Sequence, residues 1–101
     1  MDPDKPDIFM ISDVVISTAG HDKGELFYVI DTDDQFLYLA NGKDRDLDKP
    51  KRKKRRHVQK VLRSETRVAA KLLSGDKVLN SELRRDLAFH VKEMQANNLG
   101  G

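Results

Sequence analysis

A mostly-β domain, a small barrel followed by a C-terminal helical hairpin, is the fold class this sequence predicts. Three observations predict it. Short β-branched and aromatic runs recur as far as Arg63, at roughly eight- to twelve-residue spacing and separated by turn residues. Beyond Arg63 the apolar residues recur at the helical period. Two of the early runs are apolar on both faces, so each of their faces needs something packed against it.

Residues 1–10 read as a tail leading into the fold. Asp13-Val14-Val15-Ile16-Ser17 is short and β-branched, which predicts a first strand. Thr18 to Gly24 is a loop, with Gly20 and Gly24 free to take positive φ. Glu25 to Ile30 predicts a second strand, Asp31 to Asp34 a turn, and Gln35 to Ala40 a third strand. Asn41-Gly42 is the strongest hairpin signal in the chain. It places a fourth strand near Arg45 to Lys49, ended by Pro50. Val58, Val61 and Leu62 predict a short last strand.

In the second and third strands, Leu26, Tyr28 and Ile30 oppose Phe27 and Val29, and Phe36 and Tyr38 oppose Leu37 and Leu39. A barrel interior covers one face of these strands, and the C-terminal third supplies the cover for the other. Thr66 to Leu73 predicts a short helix stopped by Ser74-Gly75-Asp76. A second helix is expected from a cap at Asn80 or Ser81 to about Gln95, with Asn97, Asn98 and the terminal glycines ending it. Leu79, Leu83, Leu87, His90, Val91 and Met94 form its apolar stripe. Phe89 lies off that stripe, and patterning does not separate a second packing contact from an exposed anchor. The organisation is thus a tail over 1–10, a barrel over 11–63 with a basic segment at 49–63, and a helical hairpin with tail over 64–101.

The 101 residues suffice for one domain, and with four Phe, two Tyr and no Trp its core must be mostly aliphatic. Without Cys, disulfides and thiolate metal sites are excluded. No apolar run approaches the roughly 20 residues that span a bilayer. The acidic, Pro-bearing stretch Met1 to Asp7 is the opposite of a signal peptide. The expected location is therefore cytoplasmic.

The net charge of +2 conceals a strong polarity along the chain. Residues 1–40 hold nine acidic and two basic side chains, and the rest holds 17 basic and eight acidic ones. The extreme is Lys49, Lys51, Arg52, Lys53, Lys54, Arg55, Arg56, Lys60 and Arg63, with no acid among them. Such a block repels itself unless something anionic neutralises it. Its nine cations suit a phosphate backbone, with binding led by charge and shape because no aromatic residue interrupts the block; only His57 offers weak stacking. A merely solvated face or a localisation signal is the plainer alternative, but solvated faces usually mix signs.

Catalysis has little support. His21-Asp22 are adjacent, and adjacent side chains rarely face each other. There is no Cys nucleophile and no Gly-x-Ser-x-Gly turn. His21, His57 and His90 fall on three elements without metal-ligand spacing, and Asp31, Asp33 and Asp34 lack the glycine and closing Glu of a calcium loop. No enzyme activity, cofactor, metal or small-molecule substrate is expected, nor a membrane partner.

Val14 to Gly24 followed by Phe27-Tyr28-Val29-Ile30 resembles a KOW motif. The continuation Tyr38-Leu39-Ala40-Asn41-Gly42, Leu47, Lys49-Pro50-Lys51-Arg52-Lys53 and Arg56-His57-Val58 is similar to KOW domains of archaeal and eukaryotic large-subunit ribosomal proteins. Small bacterial KOW-domain RNA-binding proteins are resembled too, through the tail from Gly75 to Arg84. The resemblance implies an SH3-like barrel that binds RNA, usually ribosomal, with the loop Thr18 to Lys23 near the RNA backbone. His21 stands where a basic residue would suit such a contact, and Asp22 and Glu25 flank it.

The expected function is therefore non-catalytic RNA binding associated with the ribosome. The block cations and His57 would hold phosphates, and His21 and Lys23 would touch the backbone from a loop that Gly20 and Gly24 allow close. The acidic half would face away or repel RNA. If about six cations engage duplex phosphates, log K against log salt should slope near −5. Two alternatives stand beside this: a protein-interaction KOW module of a transcription or translation complex, and a non-specific DNA-binding basic arm.

Overall fold

The computed structural model describes residues 8–100, with side chains described for 8–96. Most of the expected tail lies outside the described residues; its last part does not behave as one, because Phe9 is buried in the core. The strands are β1 (Asp13–Ser17), β2 (Leu26–Thr32), β3 (Phe36–Ala40), β4 (Lys51–Lys54) and β5 (Val58–Arg63), followed by the helices α1 (Arg67–Ser74) and α2 (Asn80–Gly100). All strand pairs are antiparallel, in the order β4-β3-β2-β1-β5.

The two edge strands of this sheet, β4 and β5, are consecutive in the chain and joined only by one 3-10 turn, Arg55–His57. Four residue steps span at most about 14 Å. The edges of a flat five-stranded sheet lie roughly 19 Å apart. The sheet must therefore curl. Bulges at Ile30 in β2 and at Val61 in β5, opposite Val14 and Val15, add local twist.

Curling gives the sheet an inside and an outside, and each has its own apolar cluster. Phe9, Val15, Phe27, Val29, Leu37, Leu39 and Val58 fill the inside. Val14, Tyr28 and Ala40 on the outside meet Val68 and Ala69 of α1 and Leu83 and Leu87 of α2. The cover inferred from the two-faced strands is thus the helix pair. α1 is bounded as its sequence predicts: Thr66 Oγ1 accepts from the Ala69 amide, and Gly75 closes the helix at φ 79°.

Four expectations need correction. Asn41-Gly42 does not make a two-residue hairpin, and no strand forms near Arg45 to Lys49. Asn41 Oδ1 instead accepts from the Lys43 and Arg45 amides and organises a long loop that ends at Pro50. The fourth strand is the basic run Lys51–Lys54, which Pro50 precedes rather than ends. Nor does Asn80 cap α2: its Oδ1 accepts from the Leu47 amide, while the Leu79 amide donates to Glu82 Oε1, the N3 half of a capping box. The helix also continues past Gln95 through Asn97 and Asn98 to Gly100. Asn is only mildly unfavourable inside a helix and does not stop it.

The expected stripe of α2 is only partly down. Leu83, Leu87 and His90 are buried, but Leu79 and Val91 are exposed. Phe89 is exposed, with its ring edge-on to His90 at 5.5 Å between centroids.

Candidate functional site

Making the basic run a strand divides its charges between two faces. In β4, Lys51 pairs with Leu39 and Lys53 with Leu37, so these two lysines share the inner face. Arg52 pairs with Tyr38 and Lys54 with Phe36 on the outer face. The period-two alternation, hidden in a run where every residue is cationic, decides which cations meet solvent.

The inward lysines converge on Asp22. Lys53 Nζ donates to Asp22 Oδ1 at 2.7 Å and to the Ala19 carbonyl at 2.6 Å. Lys51 Nζ stands 2.6 Å from Oδ2, and Ser17 Oγ donates to Oδ1 at 2.7 Å. Burial opposes the charge on Asp22, but donation from Lys51, Lys53 and Ser17 outweighs it and holds the carboxyl well below the usual carboxylate range. Lys53, 8% exposed, is thus a structural cation rather than a phosphate ligand. What this cluster holds is the loop Thr18 to Gly24. Gly20 and Gly24 turn it at φ 89° and 91°, and His21 and Lys23 stand exposed on either side of the buried Asp22.

A second buried carboxylate works at the other edge. Asp13 is fully buried; Lys60 Nζ lies 3.3 Å and Arg63 Nε 3.8 Å from its oxygens, and the Met10 amide donates to it at 2.9 Å. Arg55 reaches back to the β2–β3 turn, donating from Nε and Nη2 to the Asp33 carbonyl at 3.0 and 2.8 Å. The expectation that the acidic half faces away is therefore corrected. Antiparallel pairing interleaves the halves, and Asp13 and Asp22 serve as internal counter-ions to the block.

Lys49, Arg52, Lys54 and Arg56 are left on the outside, all exposed, with His57 half-buried beside them; Arg63 is exposed as well but stands near Asp13. Arg52 lies over the ring of Phe36, 4.4 Å from its centroid. An open cleft of about 330 Å³ next to it is lined by Asp34, Gln35, Lys54, Arg55 and Arg56. No aromatic residue lies within the block in the sequence; Phe36 and Tyr38 are brought beside it by the β3–β4 register, which a strand at Arg45 to Lys49 would not give.

A second polar cluster, drawn from residues too far apart in the chain to mark it in the sequence, sits beneath α2. Tyr28 Oη donates to Asp86, and lies 2.8 Å from Ser64 Oγ and 3.1 Å from His90 Nε2. Ser64 Oγ is also 3.1 Å from that nitrogen, and Thr66 Oγ1 donates to Asp86. Burial and acceptance by Asp86 push the Tyr28 phenol far above its ordinary value. Ser, His and Asp here are not a nucleophile with base and orienter. That arrangement needs the hydroxyl and the carboxylate on opposite ring nitrogens; here both approach Nε2, Asp86 at 3.4 Å. The cluster instead fastens α2 to β2. Among the described residues no group of His and acidic side chains is placed to hold a metal, and no helix is long and apolar enough to cross a membrane.

No protein-family model matches this chain, and no curated protein matches it.

Proposed function

We propose that this chain is a non-catalytic RNA-binding protein, an SH3-like barrel of the KOW type that grips the sugar–phosphate backbone of RNA, with ribosomal RNA as its expected class. The observation that carries the reading is the row of exposed cations Lys49, Arg52, Lys54 and Arg56, which runs from the loop before β4 along the strand into the turn after it. The curled sheet fits a small barrel, and the clamped loop sets His21 and Lys23 outward as a second contact. Lys51, Lys53, Lys60 and Arg63 have a different part: they build the scaffold through Asp22 and Asp13.

Charge reversal tests this division. Lys54→Glu with Arg56→Glu is expected to lower the affinity for structured RNA at least about ten-fold, since each lost phosphate contact also brings repulsion. Unfolding of the free protein should be unchanged within about 0.5 kcal/mol, because both side chains are exposed. Electrophoretic mobility shifts alongside denaturant titration measure both. Unaltered RNA binding would remove the reading, and equal affinity for duplex DNA in competition would favour a non-specific basic arm.

A protein-interaction module is the second reading. Phe89, 51% exposed beside Val68, Glu82, Arg85 and Asp86, favours it. A partner docked there would survive the double reversal.

A further inference from the structure

We propose that Arg52, seated on the ring of Phe36, is a stacking platform for an unpaired nucleobase, so that the RNA this surface takes is looped or single-stranded rather than fully paired. This rests on the RNA-binding reading above and names the substrate class of that same face.

The first argument is geometric. Phe36 and Tyr38 occupy the outer face of β3, half-buried, and neither belongs to the clusters inside the sheet or beneath the helices. Tyr38 is the direct cross-strand partner of Arg52, and Phe36 is diagonal to it. Tyr38 Oη donates to Asp33 Oδ2 at 2.8 Å, which fixes the end of that ring. The Arg52 guanidinium rests 4.4 Å from the Phe36 centroid while the residue stays exposed. Such a plate is already ordered, so a base settling on it costs less side-chain freedom than one that must order a free arginine.

The second argument is electrostatic. Lys54 and Arg56 border the adjoining cleft, where Asp34 also stands, and offer cations to the flanking phosphates. At the aromatic end, the hydrogen bond to Asp33 raises the Tyr38 pKa while the Arg52 charge lowers it, so neither sign of charge rules there. A flat face at Arg52 thus adjoins cations a few ångströms along β4. A nucleotide has the matching parts, an uncharged stacking base joined to an anionic backbone. In a duplex both faces of a base are already taken, whereas an unpaired base has a face to give.

The test compares a fluorescein-labelled single-stranded oligoadenylate with an RNA hairpin stem of equal phosphate number, by anisotropy at one salt concentration. Arg52→Lys keeps the charge and Phe36→Leu keeps an apolar side chain, and thermal denaturation checks that both fold. Each variant is expected to bind the oligoadenylate about ten-fold more weakly while holding the stem within about two-fold of wild type. If wild type binds both RNAs and Arg52→Lys is indistinguishable from it on each, or weakens both equally, the platform is overturned and phosphate contact alone remains. If wild type binds neither RNA, the RNA-binding reading itself falls, and the platform with it.

Discussion

Gly42 sits at φ 75° where the loop after β3 presses on the first turn of α2. A Cβ there would collide with the Asn80 carbonyl oxygen and the Arg84 amide nitrogen. Gly42→Ala should cost about 3 kcal/mol or more, since neither helix backbone nor loop can yield cheaply. Gly24→Ala faces the same backbone restriction at φ 91° but open space around the Cβ, so only about 1–2 kcal/mol of strain is expected. Urea titration of the two variants separates steric from conformational cost. Asp22 makes a sharper case. Asp22→Asn leaves Lys53 buried without its carboxylate and should cost about 3 kcal/mol. Because the folded protein holds the Asp22 carboxyl below its ordinary value of 3.8, its contribution is fully present above that pH and is lost as the pH falls through and below it. The wild type should therefore lose more stability than Asp22→Asn when denaturant midpoints are followed from pH 6 into acid.

At the scale of elements, β4 carries the weakest sequence signal of the five strands. The sequence marks β1 cleanly, since Val14, Val15 and Ile16 have no competing period. β4 is four cations in a row, and a strand without apolar residues shows no alternation until its neighbour is known. Such a strand suits a sheet edge, where lysines discourage pairing with another chain. α2 shows a related ambiguity. Leu79 and Leu83 both fall on its apolar stripe, yet Leu83 is fully buried and Leu79 is 51% exposed. Leu83→Ala should cost about 3 kcal/mol through transfer and cavity terms. Leu79→Ala should stay within about 0.5 kcal/mol of wild type. Chemical denaturation of the pair checks which side of the helix the sheet receives. The cluster of Tyr28, Ser64, Asp86 and His90 adds direction to that docking, since buried polar groups must find their partners in one arrangement.

Over the whole molecule, the fold spends part of its positive charge on itself. The sequence offers nine cations between Lys49 and Arg63, but Lys51, Lys53, Lys60 and Arg63 face the buried carboxylates of Asp22 and Asp13. If Lys49, Arg52, Lys54 and Arg56, exposed and away from both buried carboxylates, each neutralise one phosphate of a duplex stem, log K against log salt should slope at about −3.6 rather than −5. A titration between 50 and 300 mM salt distinguishes these values, and a slope near zero would contradict an electrostatic grip altogether. Charge polarity along the chain is thus a poor guide to charge polarity in space. The order β4-β3-β2-β1-β5 carries the acidic first strand directly beside the basic last one.

The order of residues alone establishes the element types other than β4, the need for a cover over the second face of the sheet, and a run of cations with no acid among them. These follow from period, composition and the chemistry of turn residues, which act between near neighbours in the chain. Where β4 lies, which lysines turn inward to Asp22, and that Phe36 and Tyr38 stand beside Arg52 emerge with the folded chain. Those outcomes depend on strand register and curl, which are set by how residues far apart in the chain pack against each other.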